Sequence, residues 1–356
     1  MSVPVTFFVP GSIDRRTGGS IYDRRMVEGL RAAGRKVDVV ELDGDWPRPD
    51  PDDLQTLEDG LAALPDGAVA VVDGLVHGAA PAVAERQGPR LALVALVHHP
   101  LAEEGGLAAA EESRLRKSEG RALAAARGIL VTSRFTERRL AAFDRALPPV
   151  AVVEPGVDRA PCAKGGGGAG PVRLLCVANL IPRKGHHDLI TALARLPTHD
   201  WVLDCVGDAA ADPAHAHALA ASVAAEGLGD RIRFHGAVAE KALARFYEGC
   251  DLFVLPSRYE GFGMVVTEAL ARGLPVVTTT GGALAETLPA GAGIAVPPGD
   301  PAALAAALEE AIGSGTRRAT LAAEAARVRE GLPDWAAQAQ RFGAALDRLA
   351  GQEATG

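Results

Sequence analysis

Short apolar runs separated by amphipathic stretches fill the chain. Runs at 5–9, 37–42, 69–72, 91–97, 129–132 and 150–153 are rich in Val, Leu and Ile and do not alternate with polar residues. Such runs predict strands buried on both faces, as in parallel sheets. Between them helix formers recur at three- and four-residue spacing, as at Met26, Val27 and Leu30. The first half therefore reads as repeated βα units. A glycine-rich stretch then interrupts the rhythm, and a Pro at 171 closes it. Runs at 172–177, 201–206, 232–235, 252–255 and 275–278 follow, with helices expected from Glu240 and at 302–312, 319–328 and 334–349. The expected fold class is α/β: a domain over 1–158, a flexible linker over 159–171, and a second domain over 172–330. Two doubly wound Rossmann-like domains on a hinge imply a ligand in the cleft between them.

A length of 356 residues fits about two domains. An apolar share of 48% with 23% charged residues excludes general disorder. The net charge of −8 argues against nucleic acid as a partner, since phosphate neutralisation needs a basic surface. Cys162, Cys176, Cys205 and Cys250 contain no C-x-x-C pair, so neither a zinc site nor a disulfide framework is expected. Cys176 and Cys205 lie in apolar runs and read as core residues of a reducing compartment. The N-terminal stretch lacks a basic flank, and the run at 91–97 is far too short for a membrane span. A cytoplasmic location is the expectation. Gly165, Gly167 and Gly170 match G-x-G-x-x-G, but a strand follows them rather than a helix, so a linker is the better reading.

The segment 255–278 carries the most chemistry. A strand ends at Leu255, a loop with Gly261 and Gly263 follows, and a helix is expected from about Met264 to Ala271. Loops at the carboxyl ends of parallel strands are where α/β proteins bind ligands. No Ser, Thr, Asp or Asn precedes this helix, so its first N–H groups want another partner. Glycines beside such groups suit a phosphate or sugar hydroxyls. Glu260 falls in the loop and Glu268 in the second helical turn. Either alone reads as a solvated surface residue. Together beside an anion site they suit the vicinal hydroxyls of ribose and hexose.

Glu260, seven residues and Glu268, with Gly261-Phe262-Gly263 inside, resemble the signature of the retaining GT-B glycosyltransferases of family 4, the group 1 glycosyl transferases. The resemblance implies that Glu260 and the backbone of Gly261, Phe262, Gly263, Met264 and Val265 hold the transferred sugar. It implies that Glu268 binds the nucleotide ribose. The stretch 177–186 resembles the family's Gly-Arg-Leu-x-x-x-Lys-Gly, whose Arg and Lys clamp the diphosphate. Lys184 matches the Lys, Asn179 stands in the Arg position, and the adjacent Arg183 is the candidate replacement. By the same resemblance His235, Gly236 and Val238 offer backbone groups to the base, and Gly207 borders that pocket. Gly281-Gly282 with Glu286 resembles a donor-side Gly-Gly-x-x-Glu loop, though Glu286 equally reads as a helix-start charge. In the first domain Gly18 and Gly19 match a loop that approaches the diphosphate. The resemblance implies that His98, or His99 after a one-residue shift, lies beside the reacting sugar, and His77 is a candidate for the lining of the acceptor pocket. Ser133 and Thr136 resemble the family's Ser-x-x-Thr and read first as a helix cap. The stretch 154–158 resembles the family's ending of the first domain. Trp335 resembles the aromatic opening a last helix, at 331–350, that crosses back to the first domain.

The implied function is transfer of a hexosyl group, with retention, from a nucleotide-diphosphate sugar to a hydroxyl acceptor. The implied catalytic residues are Glu260, His98 and Lys184. No resident cofactor and no metal is expected, and UDP-linked donors are slightly favoured. The chain shows no strong candidate for a glycosidase-like nucleophile, and the resemblance implies a front-face route, with the protein supplying position and field. The alternatives are a non-catalytic nucleotide-sugar-binding protein of the same fold, or a phosphorylase or epimerase. Asp43-Gly44-Asp45 mimics the D-x-D metal motif of the other large glycosyltransferase fold, but arrives only after the second strand. Arg15, Arg16, Arg24, Arg25, Arg31, Arg35 and Lys36 form a basic cluster interleaved with Asp14, Asp23, Glu28 and Asp38. It reads as a solvated surface or a weak peripheral membrane contact.

Overall fold

The computed structural model describes residues 3–105, 107–168, 170–198 and 200–351; the first two residues and Ala169 of the glycine-rich stretch lie outside them. The chain divides into two compact units. Unit 1 is Met1–Gly156 with Pro333–Gly356, and unit 2 is Val157–Leu332. Each unit is built on one six-stranded sheet in which all the neighbouring strands run parallel.

Unit 1 contains β1 (Val5–Pro10), β2 (Val37–Leu42), β3 (Val69–Asp73), β4 (Ala92–Val97), β5 (Gly128–Val131) and β6 (Val150–Val152), in the order β2-β1-β3-β4-β5-β6. Unit 2 contains β7 (Val172–Val177), β8 (Trp201–Val206), β9 (Ile232–Phe234), β10 (Leu252–Leu255), β11 (Val276–Thr279) and β12 (Gly293–Val296), in the order β12-β11-β10-β7-β8-β9. Every residue of β3, β4, β5, β10 and β11 is buried, and these runs are apolar apart from Asp73 at the end of β3 and Thr278 and Thr279 at the end of β11. The edge strands β2 and β12 expose part of their length. Strand β12, short and set among Gly and Pro, has no counterpart in the apolar runs read from the sequence. The strand order reverses between β1 and β3 in unit 1 and between β7 and β10 in unit 2. At such points the loops leaving the carboxyl ends diverge and open a crevice.

The last helix, Trp335–Leu349, belongs to the unit 1 core. Ala339, Phe342, Ala345 and Leu346 pack with Phe7, Tyr22, Met26 and Leu30. The rings of Phe7 and Phe342 stack with centroids 5.9 Å apart. A Cβ on Gly29 would lie 2.3 Å from the Cβ of Ala339, so the close approach of the two helices requires glycine there. In unit 2, Trp201, Tyr247 and Phe253 are completely buried around the sheet. Cys176 and Cys205 face each other in register on β7 and β8, both buried.

The glycine-rich segment departs from the expected free linker over 159–171. The division falls at Gly156, and the following stretch lies along unit 2. The N–H of Ala163 donates to Arg272 O, those of Lys164 and Gly165 to Glu248 O, and that of Gly166 to Asp251 Oδ1 at 2.9 Å. The other Asp251 oxygen accepts from the N–H of Arg173, so one carboxylate fastens the segment to the start of β7. Gly165, Gly167 and Gly170 take left-handed backbone and lead into a strand, unlike a dinucleotide fingerprint.

Because Phe342 is fully buried between β1 and the Gly18–Ala32 helix, Phe342→Ala should destabilise unit 1 by about 3–5 kcal/mol. Chemical denaturation followed by circular dichroism reads this directly. A loss below about 1 kcal/mol would mean that the last helix is peripheral to the core.

Candidate functional site

In unit 2 the loops after β7, β10 and β11 converge beside the strand-order reversal. Lys184 Nζ donates to Glu260 Oε1 at 2.6 Å, and Ser257 Oγ donates to the same oxygen at 2.6 Å. Arg183 Nη1 lies 3.6 Å from Glu260 Oε2 and donates to the Tyr259 carbonyl at 2.9 Å. Glu260 is 7% exposed. Burial alone would raise its pKa, but Lys184, Arg183 and the Ser257 hydroxyl outweigh that and hold the carboxyl below its usual range.

The backbone around this cluster tolerates little change. Gly185 has φ +71°, and a Cβ there would sit 2.1 Å from the Pro256 carbonyl oxygen. A Cβ on Gly282 would lie 2.2 Å from the Glu260 carbonyl oxygen, where Gly282 and Glu260 form a parallel bridge. The loops can thus touch only because glycine stands at both contacts. The Arg258 guanidinium makes two bonds, 2.9 and 2.8 Å, to the buried Asp188 of the His186–Ala194 helix. The backbone N–H of Arg258 donates to the Arg183 carbonyl. The helix Met264–Leu270 starts at Gly263, φ +93°, with no side-chain cap. Gly261, Phe262, Met264 and Val265 around that start are half-buried. Thr287 Oγ1 donates to the Phe262 carbonyl at 2.5 Å.

Other expected residues sit nearby with local duties. Asn179 Oδ1 accepts from the N–H of Asp208 at 3.1 Å, joining the β7 and β8 loops. It supplies no charge, and the cation next to Lys184 is Arg183. Gly207 packs where a Cβ would fall 1.9 Å from the Ala178 carbonyl oxygen, and its N–H donates to Gly236 O. His235 Nε2 pairs with Asp204 at 2.7 Å, its ring rests against Phe246, and its N–H is spent on the Cys205 carbonyl. Val238 is half-buried beyond it. Glu268 Oε2 accepts from the buried Tyr247 hydroxyl at 3.0 Å. Glu286 is exposed in the first turn of the Leu284–Thr287 helix. A cavity of about 340 Å³ under the Glu240–Glu248 helix, lined by Arg173, Asp204, Arg245 and Phe246 among others, contains none of the candidate residues.

Unit 1 carries a second polar cluster at its own reversal point. His98 follows β4, and its Nε2 lies 3.1 Å from Asp23 Oδ1 and 3.3 Å from Asp73 Oδ2. Both carboxylates are buried. The ring meets Tyr22 edge-on at 5.5 Å. Gly19 abuts it, since a Cβ there would be 3.1 Å from His98 Cδ2. Gly18 and Gly19 are the first residues of a helix capped by Thr17. Ser133 caps the Arg134–Leu140 helix, and the Thr132 and Thr136 hydroxyls donate to the His98 carbonyl. His99 turns elsewhere, to Glu104 at 3.0 Å. Sequence reasoning missed Asp23 and Asp73. Asp73 ends an apolar run before a glycine, and Asp23 shares the inward face of Met26 and Leu30; these were the available signals.

One expectation fails in unit 1. His77 is buried, with Nε2 bonded to the Ala122 carbonyl at 2.9 Å, and burial lowers its pKa to about 4. It is a core residue, not the lining of an acceptor pocket. Several cations of the basic cluster have partners within the unit. Arg24 pairs with Asp14 and Glu28, Arg31 bonds the Val37 carbonyl, Arg35 grips Asp347 and Arg25 lies over Trp335. Among the described residues Asp43 and Asp45 form no metal-competent group. The one group of three such donors there is Asp23, Asp73 and His98, whose ligand atoms lie within 4.8 Å of one another. No helix among those residues is long and apolar enough to cross a membrane.

The sequence model of the family described as "Glycosyl transferases group 1" matches residues 164–328. Glycogen synthase from Mycobacterium tuberculosis is 34% identical over 188 residues, which is 48% of this chain and 41% of that protein. The chain spans about half or less of the length of the first curated relatives it matches. Sucrose-phosphate synthase from Thermosynechococcus elongatus superposes with a TM-score of 0.82 at 22% identity, covering 98% of this chain and 99% of that one. Anabaena HepE, solved in complex with UDP and glucose, gives a TM-score of 0.78 at 18% identity, covering 97% and 100%. At these identities the likeness is one of fold, the GT-B fold of two Rossmann-like units.

The Glu260 pairing has a pH signature. Its folded pKa is lowered, so the stability it contributes is complete above the unfolded value near 4.5 and is lost as pH falls through the folded value. Glu260→Gln should therefore flatten the acid limb of a melting-temperature profile between pH 7 and 3. Lys184→Ala should cost about 3 kcal/mol at pH 7, since it leaves a buried carboxylate short of a partner. Parallel acid limbs for wild type and Glu260→Gln would mean that the pair has no energetic role.

Proposed function

We propose that the chain, whose residues 164–328 match the model of the glycosyl transferases group 1 family, transfers a hexosyl group from a nucleotide-diphosphate sugar to a hydroxyl acceptor. The observation that carries the proposal is the contact of Lys184 and Arg183 with Glu260 at the strand-order reversal of unit 2. Two cations side by side suit a leaving diphosphate, whose charge grows as the bond to the sugar breaks. A carboxylate braced between them suits the hydroxyls of the sugar. Glu268, in the Met264–Leu270 helix, is the candidate for the ribose, and the backbone at Gly236 and Val238 for the base. UDP-linked donors are favoured, in keeping with the UDP bound by the Anabaena relative in fold.

The reaction proposed proceeds with retention through a front-face route. Glu260 Oε1 already accepts from Lys184 and Ser257, and Oε2 faces Arg183. A carboxylate so neutralised is a poor nucleophile, which favours a role in orienting the sugar. The acceptor hydroxyl then passes its proton to the departing phosphate oxygen, on the face that phosphate vacates. Lys184 stabilises the leaving group, and His98 is the further candidate catalytic residue. Metal ions have no part in the proposed route.

Incubation with UDP-, GDP-, ADP- and TDP-sugars, with and without chelator, tests the reading. One donor should release its nucleoside diphosphate in the presence of chelator. Lys184→Ala should lower that turnover about 100-fold, as removal of a charge-stabilising donor does elsewhere. Proton NMR of the product should show the anomeric configuration of the donor. Absence of turnover and of binding for every donor, or turnover untouched by Lys184→Ala, would overturn the proposal; an inverted product would overturn its retaining form.

A further inference from the structure

The buried carboxylates of unit 1 have no ordinary counter-ion. Asp23 is 1% and Asp73 3% exposed, and among the described residues no lysine or arginine pairs with either. Asp73 Oδ1 takes one backbone N–H, from Leu75. The remaining partners are the two carboxylates themselves, Asp73 raising the Asp23 carboxyl, and one imidazole nitrogen, His98 Nε2, which lies within 3.3 Å of an oxygen from each. Burying two carboxylates against a neutral ring would leave charge uncompensated, at a cost far above that of keeping a proton. Nε2 must carry a hydrogen to face two acceptors, so the ring has one free choice left, at Nδ1.

We propose that Asp23 and Asp73 are positioning residues that hold His98 as an imidazolium, its Nε2–H fixed inward and its Nδ1–H available as a cationic donor to an anionic or hydroxyl oxygen of the substrate. The inference rests on the reading of His98 as a sugar-side residue. Burial opposes the charge, but Asp23 and then Asp73 more than offset it and push His98 up to about 10. Burial raises Asp23 to about 6, with His98 pulling the other way. The remaining neighbours do not compete. Tyr22 meets the ring edge-on and spends its hydroxyl on the Val153 carbonyl, Gly19 has no side chain, and Thr132 and Thr136 bind the His98 carbonyl. No protein group pairs with Nδ1 among the described residues, and the side chain keeps 18% of its surface exposed. One consequence is chemical: with both nitrogens protonated, His98 donates hydrogen bonds at neutral pH and does not act as a general base.

Nitrogen-15 NMR of the histidines in the full chain, titrated from pH 5.5 to 9.5 with His98→Gln for assignment, tests the charge without relying on activity. Both His98 nitrogens should keep imidazolium shifts up to about pH 9, well above an ordinary histidine. In Asp73→Asn or Asp23→Asn the transition should move down toward 7. Activity should follow: Asp73→Asn should lower kcat about tenfold at pH 8.5 yet less than threefold at pH 6, a pH dependence that misfolding would not produce. Titration of wild-type His98 near 6.5 would overturn the proposal, and that measurement needs no variant to fold. Reversal of the shifts by Mn²⁺ or Zn²⁺ and their restoration by chelator would overturn it in favour of a metal site. If the shifts behave as expected but no sugar is transferred, the reaction assignment fails while the charge assignment stands.

Discussion

The ion pair between Lys184 and Glu260 imposes the strictest condition on this molecule. A buried carboxylate is tolerated only where cations and donors compensate it fully. The compensating groups lie on two loops separated by 76 positions in the chain and brought together at the ends of β7 and β10. The contact leaves no room for side chains at Gly185 and Gly282. Arg258 and Asp188 brace it from the adjoining helix. Glycine positions that look like ordinary loop punctuation are thus terms of one electrostatic arrangement.

Unit 1 repeats the logic with different groups. Its strands are apolar along their whole buried length, so charge can be accommodated only where a strand ends. Asp73 closes β3 and His98 follows β4, while Asp23 reaches them from the helix after β1. Gly19 leaves room for the ring beside that helix. In both units the polar clusters sit where strand order reverses, because only there do diverging loops leave space beside the carboxyl ends.

Much of this was legible in the amino-acid sequence. Uninterrupted Val, Leu and Ile runs mark the buried strands because nothing polar can be tolerated inside a covered parallel sheet. Strand β12 escaped because an edge strand of four residues needs no such run. The glycine-rich stretch read as a free linker, since a hydrogen-bond anchor such as Asp251, some eighty positions away, leaves no local trace. Glu260, Glu268 and Lys184 stood out through motif spacing, but the pairing of Lys184 with Glu260 is a property of the fold. His77 misled because its position after a strand is the same as that of a functional histidine; only its bond to the Ala122 carbonyl distinguishes it. Asn179 was visible as a departure, and its role in tying two loops became visible only with Asp208 beside it.

The division of labour between Lys184 and Glu260 is the central claim, and calorimetric titration tests it most directly. A nucleoside diphosphate and its sugar-linked form would be titrated into wild type and Glu260→Gln. If Lys184 holds the diphosphate and Glu260 the sugar, the variant binds the free diphosphate as well as wild type or better, and loses the added affinity for the sugar-linked form. If Glu260→Gln weakens both ligands equally, the carboxylate serves only to shape the loop, and the assignment of the sugar to Glu260 is wrong.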